Sequence, residues 1–295
     1  MAGGQERILR RRIRSVKSTR KITKAMELIA AAQIPRSLAR ISANRRYRDG
    51  LQQVLLEAAI NDPSGVAKLL GLPEHVERAS VLVVAGDRGL SGAYNSSALR
   101  AGERLVTRLE REGTRVGLYC VGKKAAPYYR FRGLSVETSF VGFADRPTYA
   151  DAQRVASVLG PPFLAGEVQQ ILLVSTRYLS AGSQAVDVRQ LLPLTMPDLP
   201  TPGEGLRGYT EFEPEIEKLL AHLGPRILES EIFSALLEAA ASLHTSQQRA
   251  MAAATENADE LSQTLTRVMN RARQDSITTE IMDIVGGAEA LRLGK

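Results

Sequence analysis

The two ends of this chain each read as one helix, far longer than the roughly 10–14 residues usual in globular proteins. From about Gln5 to Ala59, and again from about Pro225 to Leu291, apolar residues recur three and four apart. Periodicity sustained beyond about 25 residues points to a coiled coil, a membrane span or a repeat. No apolar run approaches the roughly 18 residues that a span needs. Two long terminal helices flanking a compact middle can bury their apolar stripes by folding back on each other as a rod. A rod made from both chain ends is a mechanical part and a poor place for an active-site cleft.

The C-terminal pattern is the clearer one. Ala254, Ala258, Leu261, Leu265, Val268 and Ala272 are spaced alternately four and three. Ile277, Ile281, Ile284, Ala288 and Leu291 resume the pattern after a five-residue step. This predicts a left-handed coiled-coil seam with one break in phase. Its alanines permit close approach of two helix axes. At 1.5 Å per residue the C-terminal helix would be about 100 Å long and the N-terminal one about 80 Å. The longer helix should therefore overshoot. Its tip carries IVGGA, too apolar for a solvated end, and is expected to sit inside something. Pro35 interrupts the N-terminal pattern, and an interior proline costs about 3 kcal/mol. Because Ile34, Leu38 and Ile41 keep helical spacing across it, a kink is expected rather than a break.

Charge is divided unevenly. Residues 1–50 hold 14 Lys/Arg against 3 Asp/Glu, a net of +11 in a chain whose total is +7, so the remainder is acidic. Arg7, Arg10, Arg14, Lys17, Lys21 and Lys24 form one stripe on a helix face, beside the apolar stripe of Leu9, Ile13 and Val16. With so little opposite charge nearby, this face suits an acidic partner. A basic coiled-coil nucleic-acid binder is the alternative. Against it stand the acidic return helix, with 10 Asp/Glu against 3 Lys/Arg in residues 211–260, and the scarcity of aromatics at 5% with no Trp. The basic N-terminus lacks the apolar core of a secretory signal. It resembles the arginine-rich half of a transit peptide, but its long helical pattern outweighs that.

The middle reads as a separate α/β domain. VLVVAG (81–86), VGLYCVG (116–122) and ILLVST (171–176) are apolar runs of strand length, as in strands buried on both faces. Between them SSALRAGERLVTRLEREG predicts a helix ended by Gly113, and TYADAQRVASVLG one ended by Gly160. This alternation implies parallel crossovers in an open sheet. Pro193, Pro197, Pro200 and Pro202 mark a linker back to the rod. The segments are thus 1–60 for the first helix, 78–205 for the α/β domain and 210–295 for the last helix.

Candidates for chemistry are thin. The loop GDRGLSGAYN follows a strand and precedes a helix, where backbone N–H groups can cradle phosphate. It lacks the GxGxxG spacing and the P-loop Lys-Ser/Thr, which favours a tight structural turn over a phosphate site. Cys120, the one cysteine, lies in an apolar run and reads as core filler, with no disulfide or cysteine metal cluster available to it. His75, His222 and His244 share no metal-ligand spacing, and His244 is expected to be exposed or to face a partner. No catalytic residue, cofactor site or metal site is expected.

RIRSVKSTRKITKAMELIAAAQ, GDRGLSGAYN and RQDSITTEIMDIVGGAEAL resemble, in order and spacing, the gamma subunits of bacterial rotary proton-translocating ATP synthases. YYRFRGL, RPTYADA and NADELSQTL extend the resemblance over nearly the whole chain. The cysteine-bearing regulatory insert of chloroplast relatives has no counterpart. The resemblance implies an antiparallel coiled coil with a small Rossmann-like α/β domain. It implies a central-stalk rotor, itself non-catalytic, that couples proton flow to ATP synthesis. The implied partners are the alpha and beta subunits of the catalytic hexamer, the epsilon subunit and the membrane c-ring. It implies no nucleic acid and no direct insertion into the bilayer, and a peripheral place on the cytoplasmic face of the bacterial membrane. By the same resemblance Arg273, Gln274, Thr278 and Glu280 form a catch with beta, Met26 faces an acidic loop of beta, and Lys21 and Lys24 lie on the cationic face that such loops meet. Pro35, Ser91 (often Cys) and Leu243 (often Glu) depart from the family pattern outside the catch.

Overall fold

The computed structural model describes residues 2–61, 75–194 and 216–293. Helix α1 (Ala2–Asn61) is followed by β1 (Arg78–Val84), α2 (Tyr94–Arg111), β2 (Arg115–Val121), α3 (Ala125–Phe131) and β3 (Thr138–Phe140). Then come α4 (Tyr149–Leu164), β4 (Gln170–Tyr178), β5 (Gln184–Leu192) and α5 (Ile216–Leu293). The terminal helices are thus as long as the periodicity predicts. Helical backbone continues through Pro35 in α1 and Pro225 in α5. The last helix starts before Pro225, where the sequence reading began it. Of the expected linker prolines, Pro197, Pro200 and Pro202 lie outside the described residues.

Contacts divide the chain into two units: residues 1–29 with 248–295, and residues 30–247. In the second unit the strands form one sheet, ordered β3-β2-β1-β4-β5. Pairings among the first four are parallel, and β5 pairs antiparallel with β4. The central strands are buried on both faces. Ala79, Val81 and Val83 with Leu118 and Cys120 pack under α2 and α3. Leu82 and Val84 with Tyr119 and Val121 face α4 and the inner stretches of α1 and α5. The strict alternation follows from the two-residue strand period.

Two helices show what holds them. Thr148 caps α4 in a reciprocal box, its Oγ1 accepting from Asp151 N at 3.3 Å and its N–H donating to Asp151 Oδ2 at 2.8 Å. The expected stop at Gly160 is wrong: α4 runs on through Pro161 and Pro162 and closes before Gly166, which has φ +77°. Gly160 lies inside the helix against α5, where a Cβ would make an ordinary 3.4 Å contact with Leu228 Cδ2. Gly102 lets α2 approach α3, and a Cβ there would lie 2.2 Å from Tyr129 Oη.

Candidate partner-binding surface

Within the first unit α1 and α5 run antiparallel. Two polar contacts fix their register: Arg20 Nε lies 2.7 Å from Asp259 Oδ1, and the Thr23 and Thr255 hydroxyls are 2.8 Å apart. Each threonine hydroxyl also lies within reach of a carbonyl of its own helix, Arg20 O at 3.0 Å and Met251 O at 2.8 Å. Each hydroxyl has one proton, so one threonine donates locally and the other across the seam. On α5 the buried line is Met251, Ala258, Ser262 and Leu265, and on α1 it includes Ile13 and Thr23. The seam is therefore rotated from the predicted one. Ala258 and Leu265 lie in it, but Leu261 and Val268 are 42% and 45% exposed on its flank. Sequence spacing alone favoured the larger aliphatics, whereas close axes select the small Ser262.

The cationic stripe on α1 is solvent-exposed from Arg7 to Lys24. Arg10 pairs within its helix with Glu6 at 2.6 Å, and Lys24 Nζ donates to both Glu27 oxygens at 2.9 and 3.0 Å. Exposed pairs of this kind contribute only about 0.3–0.5 kcal/mol and give way easily to a partner. Arg7, Arg14, Lys17 and Lys21 make no ion pair among the described residues. Met26 is half-buried, and beside it Ile22, Leu28 and Ile29 are exposed. Those three apolar side chains, interleaved with the cations, escaped the sequence reading.

On α5 Arg273, Gln274, Thr278 and Glu280 are all exposed. Glu280 Oε1 accepts a long hydrogen bond from Ser276 Oγ at 3.5 Å. Around them Ile277, Ile281, Met282, Ile284 and Val285 are exposed too, Ile284 by 72%. The register places Met26 and Arg273 about 30 Å apart along the coil axis. Lys21 and Lys24 share one face of α1, Met26 lies two residues beyond Lys24 on the other side of the same turns, and the four α5 residues lie in a separate stretch.

In the second unit the glycine-rich loop after β1 supplies a carboxylate that amides of two neighbouring loops bind. Asp87 accepts from the backbone N–H of Lys123, Gly142 and Ala144, at 3.0 Å to each. Asn95 holds the loop from the other side, accepting from Gly86 N at 2.8 Å and donating to Arg88 O at 3.0 Å. The Asp87 carboxylate itself occupies the amides at the ends of β2 and β3, and Asn95 occupies Gly86 N, so these bonds hold the loop as a structural turn. Cys120 is fully buried, and burial pushes its thiol up to about 12. His244 corrects an expectation: it is buried, with Nε2 3.1 Å from Asp145 O. Burial, the largest influence, lowers its pKa. Among the described residues no group of three or more His, Cys, Asp or Glu is arranged to hold a metal, and no helix is long and apolar enough to cross a membrane.

Exposed apolar and unpaired polar side chains along a narrow helical pair are the surface of a subunit built to be covered by others. A family model described as ATP synthase matches residues 5–291. The gamma chain of Parafrankia sp. (strain EAN1pec) is 46% identical over 99% of both chains, and that of Frankia casuarinae 47% identical over the same shares. The fold is similar to a chain of the Euglena gracilis mitochondrial ATP synthase, with TM-score 0.70, 18% identity and coverage of 99% of this chain and 96% of that one. A chain of the Tetrahymena thermophila mitochondrial ATP synthase central stalk and c-ring gives TM-score 0.61 at 24% identity, over 79% of this chain and 99% of that one. This chain belongs to the ATP synthase gamma-chain family. The nucleic-acid alternative gains nothing from these relatives.

Proposed function

We propose that this chain is the central-stalk rotor of a proton-translocating ATP synthase, passing the rotation of a membrane c-ring to a catalytic alpha/beta hexamer. The carrying observation is a family match over residues 5–291 joined to an antiparallel coil whose tip leaves its side chains uncovered. The segments 1–60 and 210–295 are the shaft, and 78–205 carries the contacts with epsilon and the c-ring. The chain performs no chemistry itself. Turning a surface that differs from side to side changes which conformation of each beta subunit is favoured, and a site forced open releases its ATP. The enclosing subunits meet two stretches: Lys21, Lys24 and Met26 on one helix, and Arg273, Gln274, Thr278 and Glu280 on the other. The complex holds the chain peripherally, on the cytoplasmic face of the bacterial membrane.

The test is mechanical. A bead attached to this chain, in a complex whose alpha/beta hexamer is immobilised, should turn in one direction on adding ATP. A complex that hydrolyses ATP while the bead stands still overturns the reading. At residue level, Met26→Lys adds a cation to this stretch of α1 and should form a new ion pair with an acidic loop. ATP hydrolysis should then proceed with reduced proton pumping, and unchanged coupling would remove Met26 from the interface.

A further inference from the structure

A cavity of about 400 Å³ lies in the second unit, between the inner stretches of α1 and α5 and the β4–β5 hairpin. Its lining includes three arginines, Arg48, Arg177 and Arg189, and one carboxylate, Glu231. Asp49, Asp187, Glu231 and Glu238 offset the three cations in charge, so what the arginines lack is hydrogen-bond acceptors rather than counter-charge. Asp187 and Glu238 flank the group, but the pairs are loose. Arg177 Nη1 is 3.5 Å from Asp187 Oδ2 and its Nε 3.8 Å from Glu238 Oε2. Arg189 Nε is 3.7 Å from Asp187 Oδ2, and Arg48 Nε 4.0 Å from Glu231 Oε1. These separations are at or beyond hydrogen-bond reach. Arg48 Nη1 donates to Ser234 Oγ at 3.3 Å. Arg48 Nε, with Arg189 Nε and Nη2, is buried and meets no hydrogen-bond acceptor among the described residues. Buried guanidinium N–H groups without acceptors are rare in native proteins and call for a missing one.

We propose that this cavity binds a small oxyanion of the phosphate class, held between Arg48 and Arg189 with Arg177 at the rim. Planar guanidinium forks match tetrahedral oxyanions, and two or three of them satisfy several oxygens at once. The described lining offers no aromatic ring on which a nucleotide base could stack, so the ligand is the oxyanion alone. The site lies outside both stretches assigned to the rotor reading and stands or falls separately from it.

The test is hydrogen–deuterium exchange of peptides covering Gln184–Leu192, in the purified complex containing the full chain. Inorganic phosphate should slow exchange there saturably, while chloride at matched ionic strength should not. Arg189→Gln should raise the phosphate concentration required by about 10- to 100-fold, the loss of a charge-assisted hydrogen bond. Arg189→Lys should retain part of the effect. Arg177→Gln, at a half-exposed rim position, should weaken it about tenfold or less. No response to phosphate means that water fills the cavity and overturns the proposal. Equal slowing by chloride overturns it as general screening. Slowing by ADP but not by phosphate overturns the choice of ligand.

Discussion

Asp87→Asn tests how the loop after β1 is held. The Asp87 carboxylate gathers the N–H groups of Lys123, Gly142 and Ala144, tying three loops at the carboxyl ends of β1, β2 and β3. An asparagine keeps one acceptor oxygen and replaces the other with an NH₂ group. If that oxygen serves Lys123 and Gly142, the NH₂ faces the Ala144 N–H, donor against donor. Lys123 and Gly142 then keep an acceptor that has lost its charge, and because both are exposed to water this costs only about 0.5 kcal/mol each. Ala144 is 6% exposed, and its amide left without an acceptor costs about 1–3 kcal/mol. The substitution should therefore destabilise the second unit by about 2–4 kcal/mol, a large share of the roughly 5–15 kcal/mol that holds a typical domain. Asp87→Ala should cost about the same, because the side-chain volume contributes little at a half-exposed site. Urea titration of the full chain gives the loss. Amide exchange of peptides spanning 142–144 shows whether it arises at these donors. An Asp87→Asn variant within about 0.5 kcal/mol of the parent, with those amides still protected, would refute the account.

Two further perturbations separate competing causes. Gly102→Ala places a Cβ 2.2 Å from Tyr129 Oη and 2.8 Å from Val83 Cγ2, so it should destabilise by about 1–3 kcal/mol despite alanine's better helix propensity. Tyr129→Phe removes the nearer obstacle at the cost of its bond to Leu99 O, so the double variant should be more stable than the two losses added; simple additivity in thermal unfolding would refute the contact. His244 titrates below its ordinary 6.5 because it is buried, so the unfolded chain binds a proton that the folded chain refuses. Stability is then full above about pH 6.5 and falls as pH drops toward the lowered value. In His244→Gln the urea midpoint should lose that part of its pH dependence between pH 5 and 7, and an unchanged slope would assign it to other groups.

Much of this architecture was legible because it rests on periodicity. The terminal helices and the strands β1, β2 and β4 repeat a pattern long enough, or apolar enough, to allow one reading. Strand β5 was missed because QAVDVRQLL alternates polar and apolar residues on an edge, without the solid apolar run of a doubly covered strand. Strand β3, three residues long, has no period to read. The seam phase failed for another reason. Leu261 and Val268 fit the same four-three spacing as Ser262 and Met269, and hydrophobicity pointed to the wrong pair. Only the partner helix, through Thr23 and Arg20, decides which line faces inward. His244 defeated local reasoning similarly: nothing near it in sequence announces the Asp145 carbonyl it meets across the unit.

The misread phase bears on the rotor reading itself. A seam of Ala258, Ser262 and Thr255 opposite Thr23 brings two helices close with little apolar area, so it contributes geometry more than stability. Other large aliphatics stay uncovered: Ile22, Leu28 and Ile29 on the outer side of α1, and Ile277, Ile281, Ile284 and Val285 on α5, past the start of α1 where no partner helix covers them. Apolar contact is non-directional, and its strength tracks buried area rather than angle. A shaft clothed in such residues keeps roughly the same contact energy as it turns inside an enclosing wall. Hydrogen bonds and ion pairs weaken steeply with misalignment, so on the proposed reading Arg273, Gln274, Thr278, Glu280, Lys21 and Lys24 would register particular angles. In the proposed rotor the two kinds of side chain would divide the work, one allowing rotation and the other marking its positions. Replacing Ile281 or Ile284 with Asn should therefore slow rotation at every angle, whereas Gln274→Ala should lengthen the pauses at one.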